Sequence, residues 1–141
     1  MTTEYVSPLV ERFATKEMSR LWGAQKKFST WRRCWIALAE AEQELGLPIT
    51  DKQLDEMRAH VDDIDFAAAE RFERDLRHDV MAHVHTYALV APTAKPIIHL
   101  GATSCYVGDN TDLILMRDAL EIILTKAVNV LRKLCDFAVK W

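Results

Sequence analysis

Apolar residues recur along most of this chain at spacings of three, four and seven, the period of a helix with one covered face. Phe28, Trp31, Trp35, Leu38 and Leu45 follow that spacing, with Lys26, Lys27, Arg32, Arg33, Glu40 and Gln43 between them, which predicts an amphipathic helix from about 27 to 45. Gly46 stands where a left-handed cap belongs, and Pro48 blocks continuation. Thr50 with Gln53 three residues later is a capping box, so a second helix runs from about 51 to 60, and further helices are expected over 65–76 and 79–90. The stretch from Pro92 to Asn110 holds two prolines, two glycines and a cluster of small polar residues, and is expected to be a loop with a short extended piece at Ile97–Leu100. From Thr111 the helical period returns. Leu113, Met116, Leu120, Ile123, Ala127, Val130, Leu134 and Phe137 form a seam that suits packing against other long helices, and it reaches Trp141 with no stop signal. The expectation is a helix that continues past this chain.

Composition narrows the class. Of 141 residues, half are hydrophobic and 28% charged, which excludes disorder, while four glycines and four prolines are too few for a many-stranded β-sandwich. The fold class expected is all-α. A net charge of −3 gives no pull toward nucleic acid or an anionic membrane surface, and no apolar run is long enough to span a bilayer. Met1–Pro8 lacks the basic start and apolar stretch of a signal peptide. Cys34, Cys105 and Cys135 are odd in number and far apart, which reads as reduced thiols in a cytoplasmic protein.

The densest chemical cluster is Arg77-His78-Asp79-Val80-Met81-Ala82-His83-Val84-His85. On one helix His78 and His85 share a face and His83 does not, so the three do not converge on a metal ion, and no metal site is expected. His83 and His85 read as packing residues. Arg77, His78 and Asp79 combine a fixed cation, a group titrating near neutral pH and a carboxylate at a helix start, which suits an anionic substrate undergoing proton transfer. In the loop His99-Leu100-Gly101-Ala102-Thr103-Ser104, small residues admit a ligand to the backbone and the hydroxyls can meet a carboxylate or phosphate. Arg12, beside Phe13, is a third candidate anion contact. Trp22, Trp31 and Trp35 lie at helical spacing and are expected in the core.

These segments together resemble the adenylosuccinate lyase family of the fumarase/aspartase superfamily. The resemblance is carried by Ser7-Pro8-Leu9 with Arg12-Phe13, by Thr30-Trp31-Arg32, by Leu38 to Glu42 and by Leu45 to Thr50. It is strongest over Arg77 to His85 and over Ile98 to Asp112. It implies a cofactor-independent homotetramer that eliminates fumarate from adenylosuccinate and from the succinylated carboxamide ribotide of purine synthesis, with active sites shared between subunits. It also implies a helical N-terminal domain over 1–109 and, over 110–141, the first part of a central long-helix domain. Residue by residue, Arg12 and Phe13 take the family's Arg-Tyr substrate pair, Phe13 without the hydroxyl. Arg77, His78 and Asp79 take its substrate-binding triplet, His78 in a supporting catalytic role. Thr103 and Ser104 take the pair that binds a substrate carboxylate. The family's general-acid His and general-base Ser belong to later segments. Two other readings are a non-catalytic helical oligomerisation module and another fumarate-releasing lyase of the superfamily.

Overall fold

A computed structural model describes residues 5–141; the first four residues, part of the Met1–Pro8 segment considered above, lie outside the described residues. Seven α-helices are described: α1 Pro8–Arg12, α2 Lys16–Leu21, α3 Ala24–Glu44, α4 Asp51–Ala59, α5 Phe66–Leu76, α6 Asp79–Val90 and α7 Ser104–Lys140, with a 3-10 turn at Pro92–Ala94. There is no strand among the described residues. The protein is all-α, as the period requires. The chain divides into two compact units, one of residues 24–112 and one of 1–23 with 113–141.

In the first of these units, local signals set most boundaries. Gly46 takes a φ of +91°, the left-handed value that ends α3. Thr50 and Gln53 form the expected capping box on α4, and Asp65 caps α5 by accepting from the Ala68 N–H. The core is built on α3. Trp31, Trp35, Ile36 and Ala39 are buried together with Leu54 and Met57 of α4 and Val80, Val84 and Tyr87 of α6, and the Trp35 ring lies 6.2 Å from that of Tyr87. The Tyr87 hydroxyl donates to the Met57 carbonyl at 2.6 Å, tying α6 to α4.

Several residues depart from the pattern. Arg32, expected on the polar side of α3, is 1% exposed. Its guanidinium lies 4.2 Å from the centre of the Tyr87 ring and donates to the carbonyls of His60 and Asp63. Trp22 and Leu45, by contrast, are exposed. The Ile97–Leu100 piece is a run of turns, not extended chain, and α7 begins at Ser104, seven residues before Thr111. Packing outweighs the small polar composition there. Val107 and Thr111 are fully buried, the Tyr106 hydroxyl donates to the Cys34 carbonyl at 3.0 Å, and the Asn110 side-chain amide turns back onto the Tyr106 carbonyl.

In the other unit, Leu21 packs with Leu115 and Ala119, supported by Met18 and Ile122. Thr15 caps α2 through the Met18 N–H, and Lys126 reaches Glu17 at 3.7 Å. The opposite face of α7 carries Leu113, Met116, Leu120, Ile123 and Leu124, all exposed. At a rise of about 1.5 Å per residue, the 37 residues of α7 span roughly 55 Å. No helix among the described residues is long and apolar enough to cross a membrane. The three cysteines are free thiols, Cys34 buried, Cys105 and Cys135 exposed.

His83 gives the fold a pH dependence. It is buried, stacked on Phe28 at 3.6 Å between ring centres and edge-on to Trp31. Burial, reinforced by the Arg32 charge, lowers its pKa from 6.5 to about 4. The unfolded chain therefore binds a proton on this ring between these two values while the folded chain does not, so stability falls as pH drops through that window and levels off below it. At about 1.4 kcal/mol per pKa unit the loss is on the order of 3 kcal/mol. Thermal melts between pH 7 and 4 should show this slope in the wild type, and His83→Gln should flatten it while lowering stability at pH 7.

Candidate functional site

The junction between α5 and α6 brings the sequence cluster together. Arg77 ends α5 in the left-handed region, φ 53° and ψ 36°, its N–H bonded to the Glu73 carbonyl at 2.8 Å. A side chain at positive φ is strained by about 1 kcal/mol relative to glycine, so the packing of α5 on α6 holds this residue in place. His78 follows in extended conformation as the N-cap of α6, and Asp79 is the first helical residue. The cation, the imidazole and the carboxylate thus leave the backbone at three consecutive positions of different geometry.

His78 is oriented from both sides. Its Nδ1 accepts the Met81 N–H at 3.3 Å, which leaves the proton of the neutral ring on Nε2. Nε2 lies 3.2 Å from Ser104 Oγ, 26 residues along the chain at the start of α7, and in this tautomer it donates to that oxygen. Asp79 Oδ1 stands 3.8 Å from His78 Nδ1, beyond a hydrogen bond, and accepts instead from the Val80 N–H at 2.7 Å. Glu70, Glu73, Arg74, Arg77, His78, Asp79 and Ser104 line an open cleft of about 920 Å³. Arg74 is paired with Glu70 at 3.1 Å. Arg77, with no such pairing inside the cleft wall, can present its planar fork to a carboxylate or phosphate.

The other sequence candidates are placed less uniformly. Thr103 is exposed just before α7, its carbonyl accepting from the Tyr106 N–H at 2.9 Å, and it is not part of the cleft wall. Arg12 and Phe13 belong to the other unit, where the guanidinium lies 5.8 Å from the centre of the Phe13 ring. The three histidines of the cluster diverge. His78 caps α6 at the cleft, His83 is buried on Phe28, and His85 lies 5.3 Å from Phe72, ring to ring.

Sequence reasoning missed the α5 side of the cleft. Glu70, Glu73 and Arg74 line it because they stand one turn and two turns before Arg77 on the same helix, and only the position of the left-handed cap reveals which turn faces the site. It also left His99 out of the binding set. The His99 ring accepts the Trp35 indole N–H, and its pKa is lowered by burial and by the nearby charge of His78.

The fold and this cleft define an all-α segment that presents an arginine, an oriented histidine and a carboxylate at one helix junction. Comparison with known proteins gives the family. The chain is 50% identical over 135 residues to a protein named adenylosuccinate lyase from Schistosoma mansoni, covering 96% of this chain and 28% of that one. It is 51% identical over 140 residues to the protein of the same name from Saccharomyces cerevisiae, and 46% identical over 140 residues to that of Schizosaccharomyces pombe, covering in each case 97% of this chain and 29% of the relative. No family model matches. The chain belongs to the adenylosuccinate lyase family and spans less than a third of the length of the curated relatives it matches.

The strain at Arg77 can be measured. Arg77→Ala removes the guanidinium but keeps a β-carbon at positive φ, whereas Arg77→Gly removes both. The glycine variant should be more stable than the alanine variant by about 1 kcal/mol in denaturant melts, the reverse of the order on an ordinary helix.

Proposed function

We propose that this chain is the N-terminal, substrate-binding part of an adenylosuccinate lyase, which eliminates fumarate from adenylosuccinate and from the succinylated carboxamide ribotide. The observation that carries the reading is the meeting of Arg77, His78 and Asp79 with Ser104 in one cleft, His78 Nε2 lying 3.2 Å from Ser104 Oγ. In such an elimination a base removes the proton beside a carboxylate, the resulting anion is stabilised by cations and donors, and an acid protonates the leaving nitrogen. This chain supplies the second of these. Arg77 pairs with an anionic group of the substrate, and Ser104 and Thr103 offer hydroxyls to a carboxylate. His78, held by Met81 and Ser104, organises the succinyl end next to the acid. Arg12 binds substrate and Phe13 packs its ring against it. The acid and base are contributed by other segments of the complete lyase, and the chemistry as read uses no cofactor.

The same reading makes 1–109 the helical first domain and 110–141 the opening of a long-helix domain, in a cytoplasmic homotetramer whose sites are shared between subunits. The exposed apolar face of α7 from Leu113 to Leu124 supports that assembly, since such a stripe is rarely left in water. A clean monomer in sedimentation at tens of micromolar (an order-of-magnitude range for weak association) would contradict it; dimers or larger species are the expected result.

The catalytic test compares three histidines in a full-length lyase carrying this segment. His78→Gln should lower fumarate release by about 100-fold or more, the loss expected when a group that orients the reacting end of the substrate is removed. His83→Gln and His85→Gln should act mainly on melting temperature. Wild-type turnover in His78→Gln would overturn the assignment, and a larger catalytic loss at His83 or His85 with the fold intact would move it to another histidine.

A further inference from the structure

Trp35 is 1% exposed, and its ring is fixed edge-on to Trp31 at 6.1 Å and tilted against Tyr87 at 6.2 Å. An indole N–H can only donate, and in a core it needs an acceptor. The acceptor is His99 Nδ1, at 3.0 Å, with the two rings at 85°. A neutral imidazole carries one proton, so an Nδ1 that accepts from the indole puts that proton on Nε2. His99 is itself held in a special conformation. Its φ is +67°, and the loop around it is anchored by the buried Ile97 and Ile98. The bond from Trp35 spans 64 residues of sequence and joins the middle of α3 to the loop that precedes Thr103 and Ser104.

We propose that Trp35 is a positioning residue, whose indole N–H fixes His99 in the tautomer with Nε2–H as its single donor. This rests on the lyase reading for its use, though the tautomer lock itself does not. Burial, and after it the His78 charge, lowers the His99 pKa, which favours the neutral ring that this tautomer requires. In this tautomer His99 offers one donor, Nε2–H.

The test has a spectroscopic arm and a kinetic arm. In protein labelled with nitrogen-15 at histidine, long-range proton–nitrogen correlation at pH 7 should show His99 as one tautomer with Nε2 protonated. Trp35→Phe keeps a buried ring and removes the donor, and should give His99 a mixture of tautomers. A wild-type His99 protonated on Nδ1, or an unchanged pattern in Trp35→Phe, would overturn the proposal; should Trp35→Phe fail to fold, the wild-type spectrum decides.

In a full-length lyase carrying this segment, Trp35→Phe should lower kcat/KM roughly fivefold, the rate equivalent of one net hydrogen bond. His99→Gln, whose amide can donate from the place of Nε2, should retain more activity than His99→Asn, although asparagine is the easier residue at positive φ. The reverse order would show that the Nε2–H donor is not what the reaction uses. Absence of fumarate release from the unsubstituted full-length protein would overturn the lyase reading, while the spectra would still decide the role of Trp35.

Discussion

The buried guanidinium of Arg32 is the constraint around which the unit of residues 24–112 is arranged. A charge taken out of water must find partners, and breaking such an arrangement costs several kcal/mol. Arg32 finds them in three directions: the carbonyls of His60 and Asp63, which fix the connection from α4 to α5, and the face of Tyr87, which fixes α6. Tyr87 then passes the constraint on through its hydroxyl to the Met57 carbonyl. The same charge, added to burial, keeps His83 neutral and so suited to lie flat on Phe28. One residue thereby ties α3 both to the connection that precedes α5 and to the middle of α6.

The cleft depends on how those two helices meet. If α5 and α6 were one continuous helix, Arg77, His78 and Asp79 would point outward 100° apart and could not face one ligand. The left-handed Arg77 breaks the helix, and His78 restarts it as a cap, so the imidazole is anchored to the Met81 N–H and still reaches Ser104. Histidine is an unusual cap. Here it uses Nδ1 for the structural bond and keeps Nε2 for the cleft. His99 uses its own two nitrogens in the same way, Nδ1 toward the Trp35 indole and Nε2 free to donate.

Helices α3 to α6 were legible in the sequence to within a few residues because their signals are local: the capping box at Thr50 and Gln53, the left-handed Gly46, the apolar period of α3. The start of α7 was not. Gly108, Asp109 and Asn110 disfavour a helix on propensity, and what overrides them is the burial of Val107 and Thr111 and the contacts of Tyr106 and Thr111 with Cys34 of α3, more than 70 residues away. Arg32 was misread for the same reason, since a period assigns residues to faces but does not reveal that two carbonyls and an aromatic ring await a cation. At the cleft, Arg77, His78, Asp79 and Ser104 could be named from residue type and resemblance, and the structure joins them. The carboxylates of α5 and the Trp35 bond to His99 had no local signature to be read.

A substrate-binding segment of the proposed kind has a physical reason to be helical. Stabilising an anion needs donors and cations that do not reorganise as charge develops, which favours groups held by helix ends over groups on free loops. His78, Asp79 and Ser104 all lie at helix starts, where backbone N–H groups already face outward and negative charge is favoured. That arrangement leaves the cleft open on one side, lined by charges and accessible to water. Strong electrostatic stabilisation requires that water be excluded, and the residues of this unit do not close the cleft by themselves. The apolar face of α7 supplies the complementary property, a surface made to be covered. Under the lyase reading proposed above, each feature calls for further polypeptide: the open cleft for a wall that excludes water, and the apolar face of α7 for a partner surface.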